Sequence, residues 1–381
     1  MRRTVACPGV AGLCLAVACA LPVSAGVVNP DISVIGQPVA SWTDANGDPA
    51  RKRVSLDVGE TEFAFDAALN PYARGVFIAS FSGGRAGIEE AYFTMDRGLP
   101  AGLAIKGGQY RVGFGKLNPA HPHAYPFGDR FHVLAAYLPG EDSFNETGVQ
   151  LSERLPAPGD VAITASLDAL QGDSFRIART SSGSTNDPLL TATGDRTAEP
   201  RTAALGRIAA FIPVGDRSGL ELGASATQGT GNVAAAARTT LVGGDAKLKL
   251  WTSDNSNLLV QAELLHMTRD EAGWDSTTAA YTKARVTPTG GYLFANFTWK
   301  ARYNAGASYE RFQSPTASAA TGQAVGAFVG LALMEETTLF RLGIEHFMAG
   351  HAAGSIRPRP AVNTIRLGVI FSMGPHKAHQ F

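Results

Sequence analysis

The chain is patterned by alternation. Between Glu62 and Leu69, Phe63, Phe65, Ala67 and Leu69 fall on one face, and Glu62, Ala64, Asp66 and Ala68 on the other. The same period of two recurs where Leu220, Leu222, Ala224 and Ala226 oppose Glu221, Gly223, Ser225 and Thr227. Phe340, Leu342 and Ile344 oppose Arg341, Gly343 and Glu345. Near the end of the chain, Ile365, Leu367, Val369 and Phe371 oppose Thr364, Arg366, Gly368 and Ser372, with Ile370 an exception. Successive side chains of a strand point to opposite faces, so these segments predict half-buried β-strands of about ten residues. A tilted strand needs ~9–11 residues to cross a bilayer. Long stripes of period 3.6 are absent.

The separators carry as much information as the strands. Short connections are expected at 70–72, 95–100, 155–159, 213–217, 252–256, 300–303 and 334–337, each with turn chemistry or tight polar spacing. Longer ones fall at 41–59, 82–87, 114–145, 170–202, 228–241, 269–289, 313–321 and 349–361. Strict alternation of short turns and long loops marks an outer-membrane barrel, with turns periplasmic and loops extracellular. These connections imply sixteen strands if 31–40 is the first, an even count that leaves both termini periplasmic; fourteen is the alternative. The expected fold is therefore all-β, a transmembrane antiparallel β-barrel of about 16 strands over 26–373. Residues 374–381 then form a periplasmic tail or the end of the last strand. In lipid, every backbone polar group needs an internal partner, and a closed sheet supplies one without edges. Tyr72, Phe77, Tyr92, Trp251, Trp299, Tyr303, Tyr309 and Phe312 fall near expected strand ends, where interfacial girdles would place them. The competing reading makes them core aromatics of a secreted all-β domain.

Composition alone gives a flatter picture. The 381 residues hold 33 Lys+Arg against 33 Asp+Glu, a balance that argues against a nucleic-acid partner. Mean hydropathy is −0.01. Only the N-terminus approaches the ~18–20 apolar residues of a spanning helix. There, Met1-Arg2-Arg3, the apolar stretch 10–21 and Pro22-Val23-Ser24-Ala25 read as a secretory signal peptide over 1–25, cut before Gly26. Cys7, Cys14 and Cys19 all lie in it, so the exported chain is expected to lack disulfides and thiolate metal sites. The expected location is the bacterial outer membrane.

Three stretches resemble a Gram-negative group of porin-like outer-membrane proteins: Gly115-Lys116-Leu117-Asn118-Pro119-Ala120-His121-Pro122-His123, Glu146-Thr147-Gly148-Val149-Gln150-Leu151, and the ending from Met373 to Phe381. The strand from Leu103 to Lys116, with the acidic run Ile88-Glu89-Glu90-Ala91-Tyr92-Phe93 before it, is similar to phosphate-selective-porin-like barrels. Members are sometimes labelled porins and sometimes zinc-regulated TonB-dependent outer membrane receptors. The resemblance implies a sixteen-stranded pore with a constriction formed by its third loop, and no particular substrate. Outer-membrane proteins usually end in an aromatic residue on an alternating strand. Phe381 fits, but Lys377 and His379 break the alternation, which favours Ile365 to Phe371 as the insertion signal and a tail beyond it.

Candidate chemistry concentrates in the third long loop, 115–145. It carries Lys116, His121, His123, Asp129, Arg130, His132, Glu141 and Asp142, which would line a pore constriction if the loop folds into the lumen. Packing by Phe127, Phe131 and Tyr137 in an extracellular loop is the structural alternative. Lumen-facing charges are expected at Glu62, Asp66, Glu221, Asp245, Lys247, Lys249, Glu263, Glu310, Arg341, Glu345 and Arg366. These strands show no ladder of Arg and Lys, so phosphate specificity is not carried over from the resemblance. His121 with His123, or His376 with His379, could offer two imidazoles to a metal. The two pairs belong on opposite sides of the membrane, however, and solvated or turn-stabilising histidines explain them as well. No nucleophile elbow, His-Glu-x-x-His or phosphate-binding glycine loop is present, so an enzyme is not expected. The expected function is an outer-membrane porin for passive diffusion of small solutes, with no cofactor. Its expected partners are lipid, lipopolysaccharide, the barrel-assembly machinery, small solutes or ions and, in a homotrimer, copies of itself. The alternative is a metal-linked (zinc) receptor or binding barrel; too few residues precede the second strand for a plug domain.

Overall fold

The computed structural model describes residues 30–140, 143–175, 202–232, 235–275, 277–278, 280–315, 320–333, 337–350 and 361–374. The strands of the first half are β1 (Asp31–Gly36), β2 (Val39–Thr43), β3 (Val54–Asp57), β4 (Thr61–Ala68), β5 (Ala73–Ser82), β6 (Arg85–Met95), β7 (Leu103–Arg111), β8 (Asn145–Leu155) and β9 (Ala162–Leu170). Those of the second are β10 (Ala203–Val214), β11 (Ser218–Asn232), β12 (Ala237–Ser253), β13 (Ser256–Asp275), β14 (Ala280–Val286), β15 (Thr289–Trp299), β16 (Tyr303–Gln313), β17 (Thr321–Ala332), β18 (Thr338–Ala349) and β19 (Val362–Met373). Three wall strands are interrupted, so these segments make sixteen staves: β1 continues as β2, β3 as β4, and β14 as β15. Two interruptions fall at Pro38 and Pro288. Proline has no N–H to give the ladder, but each keeps its carbonyl in use, Pro38 accepting from Val369 N at 2.9 Å and Pro288 from Met267 N at 2.9 Å.

The sheet closes on itself. β1 pairs antiparallel with β4 on one side (Asp31 opposite Asp66) and with β19 on the other (Gly36 opposite Phe371), and β2 extends the β19 pairing from Val39 to Thr43. Every pairing is antiparallel between neighbours in the chain apart from this closure. Among the described residues every stave therefore has a neighbour on both sides, as the low-dielectric interior of a bilayer requires.

The two faces of the wall divide by polarity, with the apolar face outward. Leu167, Leu264, Leu293, Val325, Val329, Leu342, Ile344, Ile365 and Leu367 are exposed on the outside. Inward neighbours on the same strands, including Asp168, Glu263, Glu310 and Arg341, are buried. A soluble β-protein would hide the first set and expose the second. At the short-turn end, Trp299 and Tyr303 stack with centroids 5.5 Å apart, Lys300 lies 4.5 Å over Trp299, and Arg217 lies 4.8 Å over Trp251. Tyr72 and Phe77 are also exposed. Tyr92 and Phe312 depart from the expected girdle, because both turn inward. Tyr92 meets Tyr110 edge-on at 6.3 Å, and Phe312 meets Tyr137 at 6.5 Å.

The loop lengths also need correction. The expected loop at 82–87 is a two-residue turn, Gly83-Gly84, with φ of 57° and 76° suiting glycine. The expected loops at 228–241 and 269–289 are mostly strand: β11 and β12 pair out to Asn232 opposite Ala237, and β13 and β14 out to Asp275 opposite Ala280. These extensions mix Thr, Gln, Arg and Asp on both faces, so hydrophobic alternation could not reveal them. Backbone pairing holds them instead.

Candidate functional site: the inner loop and the lumen wall

The described residues of the stretch 112–144, between β7 and β8, fold into the barrel. Asn118 ties the neck of this loop, its Nδ2 donating to Val112 O at 2.8 Å and Phe144 O at 3.0 Å while its Oδ1 accepts from Phe144 N at 2.9 Å. Gly115 adopts φ +64°, and a Cβ there would lie 2.3 Å from the Glu263 carboxylate. Only glycine fits both the left-handed backbone and that approach. Beyond the neck come a short 3-10 turn (Pro122–Ala124) and one short helix, α1 (His132–Tyr137).

The lumen wall grips this loop through the charges expected to face the pore. Glu263 accepts from Lys116 N at 2.7 Å, Leu117 N at 2.8 Å and the Tyr292 hydroxyl at 2.7 Å. Glu221 pairs with Lys116 Nζ and lies 3.6 Å from Lys247 Nζ. Glu310 receives His132 N at 3.1 Å and Val133 N at 2.8 Å, covering the otherwise unpaired first N–H groups of α1. Glu345 faces His132 Nε2 at 3.1 Å, Arg366 pairs with Asp129 at 2.9 Å, and Arg341 donates to the carbonyls of Tyr125 and Phe127. Asp245 holds Arg207 through two bonds at 2.6 and 2.9 Å. Asp66 pairs with Arg74, and Lys249 sits 5.2 Å from the Trp251 ring. The side chain of Arg130 reaches Leu134 O at 3.3 Å, inside the loop itself. Glu141 and Asp142 lie outside the described residues, as do His376, His379, Phe381 and residues 1–25.

On one wall the loop meets an aromatic bed. Phe131 stacks on Tyr292 at 4.2 Å, and Phe127 packs on Phe294 at 5.0 Å and Phe328 at 5.9 Å. On another it meets acid. His121 Nε2 is 2.7 Å from Glu90 Oε1, His123 Nδ1 is 2.9 Å from Glu62 Oε1, and Arg111 binds Glu89. Burial by itself would lower the pKa of His121, but the Glu62 and Glu90 carboxylates beside it outweigh that and push the value up to about 10. His132 is raised too: burial opposes, and Glu345 and Glu310 prevail.

Simple alternation missed Glu89, Glu90 and Arg111 as a group, and a bulge explains the first two. Ile78 pairs with Glu90 and Ala79 with Ile88, so Glu89 is an extra residue in β6 and both carboxylates serve the inner side. The adjacent acidic pair Glu89-Glu90 was the available signal. Arg207 and Lys106 were missed because single inward cations in Ala- and Gly-rich strands leave little pattern. Toward the short-turn end a cavity of about 640 Å³ remains, lined by Asp66, Arg74, Glu90, Lys106, Arg111, Lys116, His121, Arg207 and Glu221 among others. Toward the long-loop end lies a second of about 280 Å³, lined by Ser41, Asp57, Glu60, Asp129, Arg341 and Arg366 among others.

Several solved structures share this fold. The anion-selective porin from Comamonas acidovorans aligns with a TM-score of 0.58 at 9% identity, covering 91% of this chain and 100% of that one. The outer membrane channel DcaP of Acinetobacter baumannii gives 0.58 at 11% identity, covering 91% and 97%. The chain has the fold of the outer-membrane porins. A trimer form of OmpT, an outer membrane protein of Vibrio cholerae, also shares this porin fold, with a TM-score of 0.51 at 10% identity over 91% of this chain and 100% of that one. No protein-family model matches. An uncharacterised protein of Aquifex aeolicus (strain VF5) is 28% identical over 277 residues, 69% of this chain; the chain spans about half, 56%, of that relative's length.

Proposed function

We propose that the chain is an outer-membrane channel for passive diffusion of small hydrophilic solutes, narrowed by the loop at 112–144. The observation that carries this reading is the reversed polarity of the closed wall: apolar side chains outside, charged ones inside, and cavities on both sides of a loop that crosses the lumen. Lys116, His121, His123, Asp129 and Arg130, with Glu141 and Asp142, belong to the constriction on this reading. Arg74, Arg111, Lys116 and Arg207 around the larger cavity each have a carboxylate partner. The lumen therefore offers interleaved charges, which favours a general pore with weak ion preference over a phosphate filter.

The same reading places the short turns in the periplasm and the long connections outside. It includes export through the segment 1–25, insertion by the barrel-assembly machinery, contact with lipopolysaccharide and assembly as a homotrimer. It is a channel and not an enzyme. Purified protein in planar bilayers is expected to give discrete conductance steps; a silent barrel would overturn the reading.

A further inference from the structure

The cluster where the loop meets β4 and β6 is built in a way that pore lining does not require. Glu62, His121 and His123 are all buried, and one donor atom from each lies within 4.8 Å of the others. Pro122 between the two histidines starts the 3-10 turn and brings their rings to 5.5 Å with an interplanar angle of 34°. His121 is 7% exposed, and its Nδ1 has no hydrogen-bond partner although it lies 3.1 Å from Glu62 Oε2 and 3.6 Å from Glu89 Oε1. Glu89 Oε2 is likewise buried without a partner. The opposite nitrogen, Nε2, is held by Glu90 at 2.7 Å. An imidazole whose far nitrogen is fixed by a carboxylate presents its near nitrogen as a metal donor.

We propose that Glu62, His121 and His123 bind a divalent transition-metal ion of the zinc type, with Glu90 orienting His121 and Glu89 beside it. Donors about 2.0–2.2 Å from a tetrahedral zinc lie roughly 3.3 Å from one another. His121 Nδ1 lies 3.1 Å from Glu62 Oε2 and His123 Nδ1 2.9 Å from Glu62 Oε1, so each imidazole already meets one oxygen of that carboxylate at close to this spacing. Two imidazoles with carboxylates select zinc-like ions over calcium or magnesium, which prefer all-oxygen shells. Four carboxylates, Glu60, Glu62, Glu89 and Glu90, stand around the site against one guanidinium, that of Arg111, so a divalent charge is favoured there. The ion would clamp the loop to the barrel wall.

The test is calorimetric titration of zinc chloride into the full, detergent-folded chain after chelator treatment, with millimolar magnesium present. One saturable site per chain is expected. His121→Ala or His123→Ala should weaken it at least tenfold, and Glu90→Gln by about 10–100-fold, as loss of an orienting carboxylate does. His376→Ala/His379→Ala should leave it unchanged. Heat-shifted gel mobility shows whether each variant is a folded barrel. Zinc X-ray absorption on the wild type needs no variant, and two imidazoles in the shell are expected. An ordinary hydrogen-bonded imidazolium would give no saturable heat. That result, or equal binding by folded His121→Ala/His123→Ala protein, would overturn the proposal. A pore silent in bilayers but binding zinc would sink the diffusion reading and leave this one standing.

Discussion

The inner loop is held by two walls of opposite character. Against β15 and β17 it rests on rings: Phe131 on Tyr292, and Phe127 on Phe294 and Phe328. Against β4 and β6 it rests on charge: His121 and His123 on Glu62 and Glu90, with Arg111 at the end of β7 bound to Glu89 and donating to Ala120 O at 3.1 Å. Ring packing is indifferent to protons, ions and salt, and it excludes water. Charge pairing in a half-hydrated lumen responds to all three. The first wall sets where the loop lies, and the second sets how firmly it is held under given conditions. Losing the ring contacts should therefore move the loop whatever the solution, whereas changes at the charged wall should depend on what the solution contains.

The largest effect is expected from the aromatic wall. Phe131→Ala should cost about 3–5 kcal/mol of loop docking, as buried aromatic truncations do. Single-channel recordings should show larger and noisier conductance at every ionic strength; a salt-dependent change would undo the contrast between the walls. Next comes the neck, where Asn118→Ala leaves the buried Phe144 N–H without its partner and takes one of two donors from the Val112 and Phe144 carbonyls, a loss of about 1–3 kcal/mol. Faster proteolysis within 112–144, with the barrel intact, would register it.

A smaller effect belongs to the corner at His132, which faces Glu310, Glu345 and Asp129, with Arg366 alongside. Its pKa is raised in the fold, so the protonated ring contributes most below the ordinary value of about 6.5. That contribution is lost as pH rises through the raised folded value. Channel noise should increase on the alkaline side in wild type, and His132→Phe should flatten the profile. The smallest is expected from Arg217→Ala, which breaks an exposed turn pair with Asp254 at 2.7 Å. Thermal unfolding should change by no more than ~1 kcal/mol. A larger loss would mean that the exposed short turns, and not the lumen contacts, govern stability.

The barrel was readable because lipid and lumen impose a period of two on nearly every crossing strand. Leu342 and Ile344 against Arg341 and Glu345 carry that signal without ambiguity. It fades where strands extend beyond the apolar zone, as from Gln228 to Asn232 in β11, since the buried positions there are Gly229 and Gly231, which carry no hydrophobic side chain to mark them. It misleads at Glu89, where a single extra residue changes the parity of β6 and also turns Tyr92 inward. The inward charges of the lumen wall were legible one by one. Their partners were not: Glu263 meets Lys116 and Leu117 across more than a hundred residues, and Glu310 meets His132 and Val133 likewise. Alternation says which way a side chain points, and only the folded loop says what it finds there.

The central claim is that a water-filled barrel is narrowed by a loop pinned to its wall. Single-channel conductance in planar bilayers, compared between wild type and a chain lacking residues 119–139, tests it most directly. Discrete steps in the wild type and distinctly larger steps in the deletion are the predicted result. A silent wild type, or equal conductance in the two, would contradict it.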